Sequence, residues 1–240
     1  MRVGFQAFQF LKLLDDGQTM GLHRLCGFVQ TMGMKITFRY LLFAVIFFMA
    51  GCDQGGNSSL ESNQYLFITD SLGRGVGEMP GYVELISLPG IHLSEVPAVG
   101  SPEVLDAMEE YALLFEDLSI DTVWINMGLW DAIDGFTPIT PIDEYAENVE
   151  QIFQAFLDLG VQVIWCETTN TDNKGVNDYI FDLNVVADTI AMDFGIPIFE
   201  MAYLQQANDW QLAYDGLHFT ADSVVSQAME VEKFLISITR

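Results

Sequence analysis

Short apolar runs alternate with longer segments of helical periodicity along residues 65–240, and this alternation leaves few possible folds. The runs are Tyr65–Thr69, Thr122–Met127, Val161–Cys166 and the weaker Ile196–Phe199. Each is largely apolar rather than alternating, as expected of strands covered on both faces. Between them, apolar residues recur every three or four positions. Val104, Met108, Tyr111 and Phe115 predict one helix, with Pro102 near its start. Tyr145, Val149, Ile152, Phe156 and Leu159 predict a second, stopped by Gly160. Ile180, Leu183, Ala187, Ile190 and Phe194 predict a third, stopped by Gly195. Val224, Ala228, Val231, Leu235 and Ile238 predict the last, with Thr220 as its cap and Asp222 in its first turn. Strands alternating with helices give a mostly parallel sheet with helices on both faces, a three-layer α/β/α domain. Ligand sites in such sheets lie at the carboxyl ends of the strands, here just after residues 69, 127, 166 and 199.

Charge narrows the function. The 240 residues carry nine basic and 34 acidic side chains, a formal net charge of −25. Five of the basic residues and only two of the acidic ones precede Asp53, so the remainder holds four basic against 32 acidic residues, a net −28. Such a surface repels phosphate backbones and excludes a nucleic-acid partner. Self-repulsion of this size is best tolerated where salt screens it, which hints at a saline exterior. Three scattered cysteines, Cys26, Cys52 and Cys166, suit neither a disulfide framework nor a zinc site. No internal repeat or low-complexity tract is present, and 12% aromatic content argues against disorder.

The segment Met34–Cys52 is a targeting signal by composition. Lys35 and Arg39 form a basic start, and Leu41–Ala50 is a ten-residue apolar run. That run is too short to span a bilayer, which needs about 20 residues, but suits a signal peptide. It ends in Met49-Ala50-Gly51-Cys52, which resembles the bacterial lipobox, with Met in place of the usual leading Leu. The resemblance implies cleavage before Cys52 and lipid attachment to it. The polar tract 53–64 has linker composition. The expected organisation is therefore a spurious or extended start over 1–33, a signal peptide over 34–51, an acylated Cys52 with its linker to 64, and one domain over 65–240. The expected location is the cell envelope, anchored to a membrane and facing the periplasm or exterior. Asp53 resembles an inner-membrane retention signal of enterobacterial type, and the leaflet stays open.

Two strand ends carry candidate chemistry. Asp70-Ser71-Leu72-Gly73 follows the first run, and a serine there can be either a turn residue or an exposed nucleophile. Asp215-Gly216-Leu217-His218 precedes the last helix. An Asp three residues before a His can reach Nδ1, fix the tautomer and support the imidazolium that forms when Nε2 takes a proton. His92 and His218 are the two histidines after Cys52, and His92 lacks such a carboxylate.

Together these residues resemble the SGNH hydrolases, also called GDSL-like esterases. That family carries Gly-Asp-Ser-Leu after its first strand and Asp-x-x-His before its C-terminal helix. Here Thr69 stands where Gly is usual, and the second motif matches fully. The resemblance covers roughly residues 65–238 and implies a flavodoxin-like α/β domain with a Ser71–His218–Asp215 triad. It also implies two further blocks that complete an oxyanion hole. Gly100 is the candidate for the second block, with Gly90 competing. The third block, normally Gly-x-Asn-Asp, reads Gly128-Leu129-Trp130-Asp131, which resembles a variant in PC-esterase-like branches. Three options follow: the Trp130 indole donates, Asn126 reaches in, or backbone donors act alone. Asn184 falls where the family often has a Tyr-Asn pair.

Other features carry less. Residues 170–178 fail the calcium-loop pattern, since Lys174 and Phe181 occupy ligand positions, and read as a solvated loop bordering the site. Cys166 reads as an inert buried thiol. The expected function is a lipid-anchored serine esterase acting on a small-molecule or carbohydrate ester, O-acetyl or lipid, without metal or cofactor. The competing expectation is a weak or inactive binding lipoprotein of the same fold. The oligomeric state stays open.

Overall fold

A computed structural model describes residues 63–96, 100–133 and 139–238. The expected N-terminal extension, the expected signal peptide and Cys52 lie outside the described residues, as does nearly all of the expected linker.

The apolar runs form the strands expected of them. β1 is Tyr65–Thr69, β5 is Thr122–Asn126, β6 is Gln162–Cys166 and β7 is Ile198–Phe199. Every residue of β1 and β5 is buried, which explains why their sequences do not alternate. A three-residue strand, β4 (Ile91–Leu93), was not signalled by composition; it joins β1 at the sheet edge. The sheet order is β4-β1-β5-β6-β7 and every pairing is parallel. A separate two-stranded ribbon pairs β2 (Gly75–Val76) with β3 (Met79–Pro80).

Helices cover both faces, so the domain is a three-layer α/β/α structure. The first predicted helix is two, α2 (Ser101–Asp106) and α3 (Met108–Leu118), because Ala107 leaves helical geometry at φ −86°, ψ 4°. The apolar stripe continues through the break, so periodicity alone could not reveal it. The helix α5 (Ile142–Asp158) buries Tyr145, Val149, Ile152, Phe153 and Phe156. The helix α6 (Lys174–Phe194) begins inside the predicted loop 170–178, where the Asn173 side chain accepts the Gly175 N–H, and ends at Gly195. The C-terminal helix α8 is Ala221–Ile238.

Two tryptophans show how the layers meet. Register pairs Trp124 with Ile164 and Ile125 with Trp165, so the tryptophans point to opposite faces. Trp124 packs on Phe234 of α8, with ring centroids 6.2 Å apart, while Trp165 packs on Phe153 of α5 at 5.9 Å. Both are completely buried, and truncating either to Ala would cost about 3–5 kcal/mol.

Candidate active site

Ser71 opens a four-residue helix, α1 (Ser71–Arg74), directly after β1. Asp70 caps that helix, its Oδ1 accepting the Leu72 N–H at 2.8 Å. The turn folds back tightly because residue 73 is glycine: a Cβ there would sit 2.2 Å from Thr69 Oγ1. Asp70 is buried, and burial pushes its carboxyl up to about 7; the Leu72 hydrogen bond opposes this and the Asp131 charge adds to it.

The Asp215–His218 turn closes on itself. Asp215 Oδ1 accepts the N–H groups of Leu217 and His218, both at 3.0 Å, and Oδ2 lies 2.7 Å from His218 Nδ1. Burial raises the Asp215 carboxyl, but its hydrogen bonds from the His218 ring and from both N–H groups outweigh this and hold it below the usual carboxylate range. An ionised carboxylate only accepts, so Nδ1 carries a hydrogen, and in the neutral ring the lone pair is therefore on Nε2. The Ala213 N–H donates to the His218 carbonyl at 2.6 Å, and Leu212 pairs with Phe219, which closes the base of the turn. Gly216 seats it on the loop after β6. The Asp172 N–H donates to the Gly216 carbonyl at 2.9 Å, and a Cβ on Gly216, at φ 69°, would lie 2.2 Å from the Asp172 carboxylate.

These elements share the carboxyl edge of the sheet. Thr69, Asn126 and Cys166 pair in register. Ser71, Gly128 and Thr168 each stand two residues past one of these strand ends, and neighbouring strands lie roughly 4.8 Å apart. Ser71 Oγ and His218 Nε2 are both buried, and neither makes a hydrogen bond with the other or with any described group. The direct Ser71–His218 bond expected of a triad is thus not formed here; such bonds often tighten only when substrate binds.

The two candidate second-block glycines lie in different places. Gly90 lies at the opposite end of the sheet, where its carbonyl accepts the Tyr65 N–H at 2.7 Å as β1 begins. It is not a site residue. Gly100 is buried and is the N-cap residue of α2. Its φ of −163° is open to any residue, so conformation alone does not demand glycine there.

Asn126 is also excluded as a third donor. Its Nδ2 donates to the carbonyls of Cys166 and Glu167, at 3.3 and 3.1 Å. Its Oδ1 accepts from Thr69 Oγ1 at 3.1 Å and from the Tyr82 hydroxyl at 3.3 Å. The Trp124 indole donates in turn to Tyr82 Oη at 3.1 Å. This buried network knits β1, β5 and β6 together beneath Ser71. It also accounts for threonine at position 69, whose hydroxyl a glycine would not supply. Trp130 is half-buried on the short helix α4 (Leu129–Ala132), which follows β5.

Solved structures resemble this chain in fold. The lipase/acylhydrolase from Enterococcus faecalis aligns with a TM-score of 0.58 at 18% identity, covering 72% of this chain and 95% of that one. A GDSL-like lipase from Bacteroides thetaiotaomicron gives 0.59 at 17%, covering 80% and 97%. An acetyl xylan esterase gives 0.59 at 16%, covering 70% and 97%. The chain has the SGNH hydrolase fold. No protein-family model matches it, and no curated protein does.

Within the SGNH hydrolase fold, side-chain amides hold the loop after β6. Asn184 of α6 accepts the Thr168 N–H at 3.1 Å and donates to the Thr168 carbonyl at 2.9 Å. Gln205, on α7 (Met201–Ala207), does the same for Asn170, at 2.8 and 3.0 Å. These clamps were not legible in the sequence, apart from the notice drawn by Asn184. The Thr168 and Thr169 hydroxyls and the Tyr145 hydroxyl are buried without partners. Cys166 is a fully buried thiol that burial pushes up, as expected of an inert cysteine. Among the described residues, no cluster of His, Cys, Asp or Glu could hold a metal. His92 lies in β4, its Nε2 2.8 Å from Gln64 Oε1, away from the strands' carboxyl ends.

Proposed function

We propose that this protein is a serine ester hydrolase using Ser71 as nucleophile, His218 as general base and Asp215 as its orienting carboxylate. The observation that carries this reading is the 2.7 Å Asp215–His218 pair, which leaves Nε2 as an unengaged acceptor at the sheet edge that also bears the unengaged Ser71 hydroxyl. Ser71 Oγ attacks the ester carbonyl as His218 Nε2 takes its proton. Asp215 stabilises the imidazolium. The backbone N–H groups of Ser71 and Gly100 receive the developing oxyanion. His218 then protonates the departing alcohol, and water, activated by the same imidazole, hydrolyses the acyl-enzyme. No step calls for a metal or cofactor.

The substrate class we favour is an O-acylated carbohydrate. The similarity to an acetyl xylan esterase supports this, and so does the acidic composition, which disfavours polyanionic substrates. Trp130 serves the site as a rim or platform for the substrate. An indole is a poor copy of the family's carboxamide, since its single donor lies further from Cα and it cannot accept. The signal-like segment and Cys52 support a lipid-anchored envelope protein.

The decisive experiment is labelling with a fluorophosphonate probe, followed by mapping of the modified residue. Modification at Ser71, lost in Ser71→Ala and in His218→Ala, is the expected result. Labelling elsewhere, or p-nitrophenyl acetate hydrolysis that survives both substitutions, would overturn the assignment.

A further inference from the structure

The Asp131 carboxyl group is completely buried, and three of its hydrogen bonds come from one residue, Ser101. The Ser101 N–H donates to Oδ1 and Oδ2 at 3.0 and 3.1 Å, and Ser101 Oγ donates to Oδ1 at 2.7 Å. Asn148 of α5 donates to Ser101 Oγ at 3.2 Å, which leaves the hydroxyl hydrogen free to point at Asp131. Ser101 is itself completely buried.

Ser101 directly follows Gly100. The N-cap position of α2 is therefore occupied by a residue with no side chain to cap the helix, and no side-chain cap bond is made there. Asp131, 30 positions along the chain, instead accepts the first of the helix's free N–H groups, that of Ser101. The Ser101 N–H and the Gly100 carbonyl share one peptide plane, and the carbonyl accepts the Val104 N–H at 3.1 Å. Both sides of that plane are thus held. A glycine has no Cβ to restrict its backbone, so the direction of the Gly100 N–H depends on this anchoring. Asp131 is fixed in turn: it lies on α4, and its own carbonyl accepts the Thr140 N–H at 3.1 Å.

We propose that Asp131 is a positioning residue for the oxyanion site, holding the Gly100–Ser101 turn so that the Gly100 N–H faces the carbonyl attacked by Ser71. This rests on the esterase reading above. Asp131 touches no substrate; it acts through Ser101 and Gly100.

The test compares wild type, Asp131→Ala and Ser101→Ala with p-nitrophenyl acetate, with turnover expressed per site titrated by a fluorophosphonate. Asp131→Ala removes the three bonds to Ser101 and is expected to lower kcat per titrated site about 10-fold or more, with KM within about threefold. Ser101→Ala keeps the N–H anchor and loses only the hydroxyl bond, so a fall of about three- to tenfold is expected, and this variant serves if Asp131→Ala does not fold. A purely structural Asp131 would lower the melting temperature and leave turnover per titrated site unchanged. Unchanged turnover in either folded variant overturns the proposal. A wild-type protein that neither hydrolyses the ester nor reacts at Ser71 overturns the esterase reading instead, so the two failures are distinct.

Discussion

Asp215 meets His218 twice, through Oδ2 to the ring Nδ1 at 2.7 Å and through Oδ1 to the His218 backbone N–H at 3.0 Å. One carboxylate thus sets both the place of the histidine and its tautomer. Asp215→Asn preserves an acceptor for the backbone but can present an N–H to the ring, which favours the wrong tautomer. A loss of about 10²-fold or more in kcat is expected, smaller than the loss in Ser71→Ala. Steady-state hydrolysis of p-nitrophenyl acetate measures it.

Stability should fall as pH rises from about 4 to 7. The folded Asp70 carboxyl sits near 7 because it is buried, so across that window the folded state holds a proton that the unfolded chain releases. Glu167 acts in the same direction, pushed up to about 7 by burial and by the neighbouring Asp188 charge. Asp215 works oppositely: its lowered value stabilises the fold above the ordinary carboxylate range, and that contribution is lost only as pH drops below it. Thermal melts should show a higher Tm at pH 5 than at pH 8. Asp70→Asn, which mimics the neutral acid, should flatten the slope; an equal slope in that variant would exclude Asp70 as its source.

Gly216→Ala should destabilise the fold by about 1–3 kcal/mol, since the position combines a left-handed φ of 69° with the Asp172 carboxylate where the new methyl would go. Because the same turn carries His218, activity should drop with it. Denaturant titration alongside kinetics would register both.

Trp130→Phe retains a ring and removes the indole N–H. With a platform role, kcat stays within a few-fold, while Trp130→Ala raises KM on an acetylated oligosaccharide. A loss of about 10²-fold or more in kcat for Trp130→Phe would instead identify the indole as an oxyanion donor.

The chain extracted from bacterial membranes should begin at an acylated Cys52, with residues 1–51 removed. Intact mass spectrometry reads this directly. A soluble product retaining Met34 would contradict it, and Cys52→Ala should block maturation.

The sequence by itself determined four of the five sheet strands and most of the long helices, because a strand buried on both faces must be largely apolar and a half-buried helix must be striped. It also determined the Asp215–His218 pair, since three residues in one turn suffice to bring those groups together. What lay beyond it depended on distant segments. β4 is three residues long and becomes a strand only by pairing with β1. Gly90 and Gly100 looked alike as turn glycines, and only the tertiary fold put one at the amino end of β1 and the other near Asp131. Asn126 looked available until the fold engaged its carboxamide with Thr69, Tyr82, Cys166 and Glu167. Hydrogen bonds between segments tens of residues apart leave no period or spacing in the chain. Tertiary structure alone decides which polar side chains they consume and which, like Ser71 Oγ and His218 Nε2, they leave unengaged for chemistry.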